Sequence, residues 1–157
     1  MSGCSGVGKT TFAKKFAEEN DLLYLGTDEF YALINGDETI HENSFEVWIA
    51  LYQAIHAAEM NGRDCIVDTN ALTVLHRDQF LDWFPTFEHH LIFINASEKL
   101  RKANNLSRRR QVPETEMKKM ALKLEYPFWE RLDMRWCSLL WIANVNNKFS
   151  IVERRNR

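Results

Sequence analysis

Gly3-Cys4-Ser5-Gly6-Val7-Gly8-Lys9-Thr10 is the stretch on which the reading of this chain turns. It satisfies the pattern G-x-x-x-x-G-K-[ST] in full, and each part has a mechanical reason. The glycines let backbone N–H groups curl around phosphate oxygens with no Cβ in the way. A helix starting at Thr10 aims its positive end at the same anion. In such a loop the lysine, here Lys9, bridges the β- and γ-phosphates, and the hydroxyl of Thr10 binds Mg²⁺. The pattern predicts ATP and Mg²⁺ as ligands, with Ser5, Gly6, Val7, Gly8, Lys9, Thr10 and Thr11 around the nucleotide.

Working outward, Phe12, Ala13, Phe16 and Ala17 fall at helical spacing, so Thr10 to Glu19 should be the helix behind the loop. Only Met1 and Ser2 precede Gly3, although a phosphate loop ordinarily hangs from the end of a buried strand. The expectation is that the first strand of the sheet is missing from the chain as given. Downstream, Leu22 to Leu25 is a short apolar run ended by Thr27-Asp28-Glu29. A long helix is expected to start with Ser44 as its cap, to carry Phe45, Trp48, Ile49, Tyr52 and Ile55 on one face, and to stop at Gly62. Cys65-Ile66-Val67 reads as a buried strand ending in Asp68. Leu91 to Ile94 reads as another, with a helix capped by Ser97 behind it. Pro113 with Glu114 and Glu116 marks a further helix start, because proline suits a first turn and acids suit its positive end. A helix from Phe128 to Ile142 and a strand near Phe149 to Val152 close the prediction.

Short apolar runs alternating with amphipathic helices imply an α/β fold, a parallel sheet with helices on both faces. With no repeat, low-complexity tract or linker, all 157 residues are expected in one domain. Hydrophobic residues make up 45% and charged residues 27%, the balance of an ordinary globular protein. No apolar run is long enough to span a membrane, and no charged-then-apolar leader opens the chain. Cys4, Cys65 and Cys137 lack metal-ligand spacing and read as free thiols of a reducing cytoplasm. The net charge of −2 hides two basic clusters, one from Arg101 to Arg110 and one at Arg154, Arg155 and Arg157.

The chemistry beyond the loop rests on acids at strand ends and on arginines. Asp28 follows the second predicted strand, at the carboxyl edge where ligands bind in open α/β folds. There it can accept the proton of an attacking hydroxyl; its alternative is a helix cap before Glu29-Phe30-Tyr31. Asp68 ends an apolar strand, as an acid near Mg²⁺ should, or else it merely starts a turn. Asp28, Asp68, Asn70 and Arg77 are expected on the substrate side, and Thr10 and Asp68 at the metal. Arg108-Arg109-Arg110 lies between two predicted helices, where guanidinium groups can clamp a transferring phosphoryl. A solvated charge run is the alternative, and Arg108 and Arg110 are the candidates for catalysis. The histidines (His41, His56, His76, His89, His90) show no ligand spacing. Trp129, Trp136 and Trp141 read as core. No N-K-x-D stretch that would read guanine occurs.

Taken together, these segments resemble the polynucleotide-kinase-like branch of the P-loop kinases. Gly3 to Thr11 resembles that family's nucleotide loop, and Thr27-Asp28-Glu29-Phe30 its segment carrying the general base. Val67-Asp68-Thr69-Asn70 is similar to its second acidic motif. Arg108 to Pro113 resembles its arginine lid, and Leu124-Glu125-Tyr126-Pro127 a Phe-Glu-x-Pro segment of relatives that include kinases acting on aminoacyl-tRNA. The resemblance implies a nucleotide-monophosphate-kinase-like fold and transfer of the γ-phosphate of ATP to a hydroxyl, with a polynucleotide 5′-OH as the favoured acceptor. A small metabolite or toxin-type target, or nucleotide binding without catalysis, are the alternatives. Phage-type relatives carry an arginine three residues beyond the base aspartate, where this chain has Tyr31. No D-x-D-x-T phosphatase motif follows.

Overall fold

The computed structural model describes residues 1–38, 40, 42–108, 110–128 and 135–156. His41, Arg109, Trp129 and Arg157 lie outside them. The chain forms two compact units, Met1–Lys9 with Asn70–Arg157, and Thr10–Thr69.

In the Thr10–Thr69 unit, helix α1 (Lys9–Glu19, its first residue in the other unit) leads to strand β1 (Leu23–Gly26). Helices α2 (Thr27–Asn35) and α3 (Ser44–Met60) precede strand β2 (Cys65–Asp68). The two strands pair in parallel, Leu23 opposite Cys65 and Gly26 opposite Asp68. Parallel pairing needs a helical crossover, and α2 and α3 supply it. Helix α3 buries Val47, Leu51, Ile55 and Ala58, residues spaced by four, four and three. This corrects the expected face: Phe45 is 72% exposed, Ile49 and Tyr52 are also exposed, and only Ile55 of the named five is buried. The helix carries apolar residues around much of its circumference, so periodicity alone offers two stripes and packing selects one. Ser44 is not the cap either. Asn43 occupies that position in a left-handed conformation (φ 51°) without a side-chain cap bond, and the Ser44 hydroxyl accepts a hydrogen bond from Tyr31 Oη at 3.1 Å.

In the larger unit, strand β3 (His89–Ala96) pairs in parallel with β4 (Trp136–Val145), and β4 pairs antiparallel with the edge strand β5 (Lys148–Asn156). Helices α4 (Val74–Trp83), α5 (Glu98–Leu106) and α6 (Glu114–Lys123) complete it. Ser97 caps α5 by accepting from Leu100 N, as expected, and Thr73 caps the unanticipated α4 through His76 N. Ser2 already lies in strand register: it bridges Phe93 in parallel, donating from N to Ile92 O at 2.8 Å and accepting from Ile94 N at 3.0 Å.

The expected helix over Phe128 to Ile142 is contradicted, because Trp136 onward is strand. The reason is a bulge. His89 faces Trp136 but His90 faces Ser138, so Cys137 is an extra residue. One extra residue brings positions three apart onto the same face. Trp136 and Leu139 therefore enter the same core cluster. Ile142 is buried too, on the opposite face by ordinary strand alternation, and the run of three-residue spacings imitates a helix. Asn146 and Asn147, both with positive φ (51° and 60°), form the two-residue turn that sends β5 back antiparallel. Two of the three tryptophans read as core, Trp136 and Trp141, nevertheless belong to it, and Trp129 lies outside the described residues. Trp136 joins Leu81, Leu91, Phe93 and Leu139, and Trp141 packs against them, edge-on to Phe93 at 5.2 Å between ring centres. Each fully buried leucine or phenylalanine of this cluster contributes roughly 1.5–3 kcal/mol.

Candidate active site

The phosphate loop runs from β3-paired Ser2 into α1. Its glycines are required from behind as well as from the phosphate side. A Cβ on Gly6 (φ 82°) would lie 2.5 Å from Arg101 O of α5, and one on Gly8 (φ 94°) would lie 2.9 Å from Asn144 Nδ2 of β4. The loop carbonyls are taken by side-chain donors. Asn104 Nδ2 donates to Gly6 O at 2.9 Å, Asn144 Nδ2 to Val7 O at 2.8 Å, and Lys9 Nζ to Cys4 O at 3.1 Å. Carbonyls held outward is the arrangement in which successive N–H groups turn inward on an anion. Lys9 is buried and also donates to Asn70 Oδ1 at 3.0 Å. Burial pushes the Cys4 thiol up against the opposing pull of Arg101 and Lys9, so Cys4 is a packing residue. Sequence inspection misses Asn104 and Asn144, which meet the loop from 98 and 137 residues away.

Asn70, Ala71 and Leu72 turn beside this loop, and Asn70 O accepts from Gly3 N at 3.2 Å. Arg77, expected on the substrate side, is corrected. It is 1% exposed, and its Nη1 lies 3.2 Å from both Ala71 O and Leu72 O. A side chain so enclosed does not meet a solvent-borne substrate.

In the Thr10–Thr69 unit, three hydroxyls converge on Asp68. Thr10 Oγ1 donates to Asp68 Oδ2 at 2.6 Å, Tyr24 Oη to the same oxygen at 3.1 Å, and Thr27 Oγ1 to Asp68 O at 3.3 Å. The Tyr24 hydroxyl is pushed well above its ordinary range by burial first, then by the Asp68 charge and the hydrogen bond it gives, so it stays a donor. A hydroxyl and a buried carboxylate fit Mg²⁺, which takes oxygen ligands and leaves most positions to water and phosphate. Among the described residues no three His, Cys, Asp or Glu side chains form a metal cage. Asp28 stands exposed in the first turn of α2, whose cap position is Gly26. That removes the cap reading of Asp28.

Arg108 and Arg110 lie between α5 and α6, as expected, Arg108 exposed and Arg110 half-buried. The loop base is closed by buried Asn105, which donates from Nδ2 to Val112 O and accepts at Oδ1 from Val112 N, both at 2.8 Å. Lys102, counted in the basic run, is spoken for by Glu98 at 2.9 Å and Glu114 at 3.0 Å.

Loop, helix and parallel strands define a P-loop NTPase fold of the nucleotide-monophosphate-kinase-like type. A family model described as an AAA domain matches residues 1–127, and the chain belongs to that family. The chain is similar to the crystal structure of a gluconokinase from Sinorhizobium meliloti 1021, with a TM-score of 0.63 and 17% identity over 90% of this chain and 79% of that one. It is also similar to an unliganded sugar kinase from Janibacter sp. HTCC2649, with a TM-score of 0.66 and 19% identity over 90% and 82% of the two chains. Among the described residues no helix is long and apolar enough to cross a membrane.

Proposed function

We propose that the chain is an ATP-dependent kinase that moves the γ-phosphate onto a hydroxyl acceptor. The observation carrying this is the complete phosphate loop with its carbonyls anchored outward and Lys9 held at its mouth. Lys9 and the loop N–H groups bind the β- and γ-phosphates, and Thr10 and Asp68 are the residues that would hold Mg²⁺, which would supply neutralisation of the phosphoryl charge. Asp28 takes the proton of the acceptor hydroxyl as its oxygen bonds to the γ-phosphorus. The bond to ADP breaks in line. Arg108 or Arg110 stabilises the equatorial oxygens.

For the acceptor we favour a small polyhydroxylated metabolite. Two of the solved neighbours are named as a gluconokinase and a sugar kinase. Tyr31 stands where phage-type polynucleotide kinases carry an arginine, and its hydroxyl is bonded to Ser44. The resemblance of Val67-Asp68-Thr69-Asn70 and of the arginine segment keeps a polynucleotide 5′-OH as the second reading.

Transfer of label from γ-labelled ATP to a panel of sugars and sugar acids, with a 5′-OH oligonucleotide beside them, tests both. Labelled metabolite with no labelled oligonucleotide is the expected result, and Lys9→Ala should abolish it while the protein stays folded. Equal transfer by Lys9→Ala and the parent would sink the kinase reading. Label on the oligonucleotide alone would reverse the choice of acceptor.

A further inference from the structure

We infer that Arg77 is a positioning residue for Lys9, acting through the Asn70 turn; this rests on the kinase reading, because it concerns how the same lysine is held. The turn is unusual. Ala71 has a φ of 37°, a left-handed conformation that residues with a Cβ rarely adopt. Such a conformation persists only where its surroundings over-determine it. Here they do. Ser2 Oγ donates to Ala71 O at 2.8 Å, and Arg77 Nη1 reaches both Ala71 O and Leu72 O. Glu125 fixes the far end: its N donates to Leu72 O at 2.9 Å, and its carboxylate accepts from Val74 N at 2.6 Å.

What the turn presents on its other side is Asn70. Its Oδ1 accepts from Lys9 Nζ and its carbonyl from Gly3 N, so one side chain and one backbone atom tie the turn to both ends of the phosphate loop. An ammonium has three N–H donors. With Asn70 fixed, the donors given to Asn70 Oδ1 and Cys4 O keep the ammonium oriented over the loop.

The burial of Arg77 makes poor sense otherwise. Its Nε and Nη2 are buried with no hydrogen-bond partner among the described residues. Enclosing a guanidinium with two nitrogens idle is costly, and an apolar side chain would pack the site more cheaply. What only the charge supplies is a charge-assisted donor, about twice as strong as a neutral one, aimed at the carbonyls of the Ala71 turn. Burial draws the guanidinium's pKa down while Glu125 and Asp78 oppose this.

The test compares Asn70→Ala, Arg77→Met and the double variant in the full chain, reading kcat/KM for ATP and equilibrium ATP binding. Each single change should lower kcat/KM by roughly ten- to a hundredfold, the worth of one hydrogen bond to a charged group. The double variant should be no worse than the more damaging single one, because both remove the same hold on Lys9. Losses that multiply, or a folded Arg77→Met with parental values, overturn the inference. Should Arg77→Met fail to fold, Ser2→Ala removes the other side-chain donor to Ala71 O. A smaller loss that vanishes in the Asn70→Ala background supports the inference; no loss, or the same factor in both backgrounds, overturns it. A parent chain that binds ATP but transfers nothing counts against the kinase reading alone, since the binding cycle still reports on Arg77. A parent that binds no ATP overturns both.

Discussion

The phosphate loop in one unit and the Asp68 corner in the other are built on opposite plans. In the loop, donors from Lys9, Asn104 and Asn144 each take a different carbonyl, and no single contact carries the shape. At the corner, three hydroxyls converge on one aspartate, two of them on the same oxygen. The loop is a distributed scaffold; the corner gathers its donors on a single carboxylate, the one proposed to hold a cation. Binding should therefore follow the loop, and turnover should follow the acids of the Thr10–Thr69 unit.

The largest effect beyond Lys9 itself is expected at Asp28. Asp28→Asn should leave ATP affinity nearly unchanged and cut turnover by roughly 10²–10⁴-fold, the usual worth of general acid–base catalysis. Single-turnover kinetics beside an ATP titration measure the two separately. If affinity falls together with turnover, the division between a binding loop and a reacting corner is broken.

Tyr24 sharpens the comparison at an intermediate scale. The Tyr24→Phe change removes one hydroxyl from Asp68 and leaves the ring, which sits beneath Lys14 with the Nζ 5.0 Å from its centre. The Mg²⁺ concentration for half-maximal activity should shift by about two- to tenfold, as one hydrogen bond is worth. An unchanged Mg²⁺ dependence would reduce Tyr24 to a packing residue.

The smallest effect concerns stability in the larger unit, away from either group. Burial is the leading cause that lowers the pKa of His89, helped by Arg135 and His90 and opposed by the bond to Phe84 O. A neutral ring is thus preferred in the folded chain. Its contribution is fully present above the unfolded value of about 6.5 and is lost as pH falls through the lower folded value. Melting temperatures across pH 8 to 5 should fall on the acid side, and His89→Gln should flatten that part of the profile. A steeper profile in the variant would contradict the assigned direction.

Much of the fold was legible from local pattern. The helices behind Gly8 and Ser97, the strands ending at Gly26 and Asp68, and the helix after Pro113 all lie within a few residues of their predicted places. The failures have physical causes. Trp136 and Leu139 share a face because a bulge at Cys137 shifts the alternation of β4, and Ile142, buried on the other face, extends the three-residue spacing that mimics a helix; nothing local announces a bulge that depends on β3. Helix α3 buries a different stripe from the one its periodicity suggests, because an apolar circumference leaves the choice to the neighbouring packing.

The sequence by itself determined the phosphate loop, the helix behind it and an acid at the end of β2. These are properties of consecutive residues, whose backbone freedom, charge and spacing act over a few ångströms. Only the tertiary structure decided that Arg77 is enclosed rather than facing substrate, that Asn104 and Asn144 brace the loop, and that the Ala71 turn aims Asn70 at Lys9. Each of those depends on partners brought together across the fold, from five to 137 residues apart along the chain. A polar side chain acquires its role from the groups that surround it once water has been removed, and burial is a property of the folded chain alone.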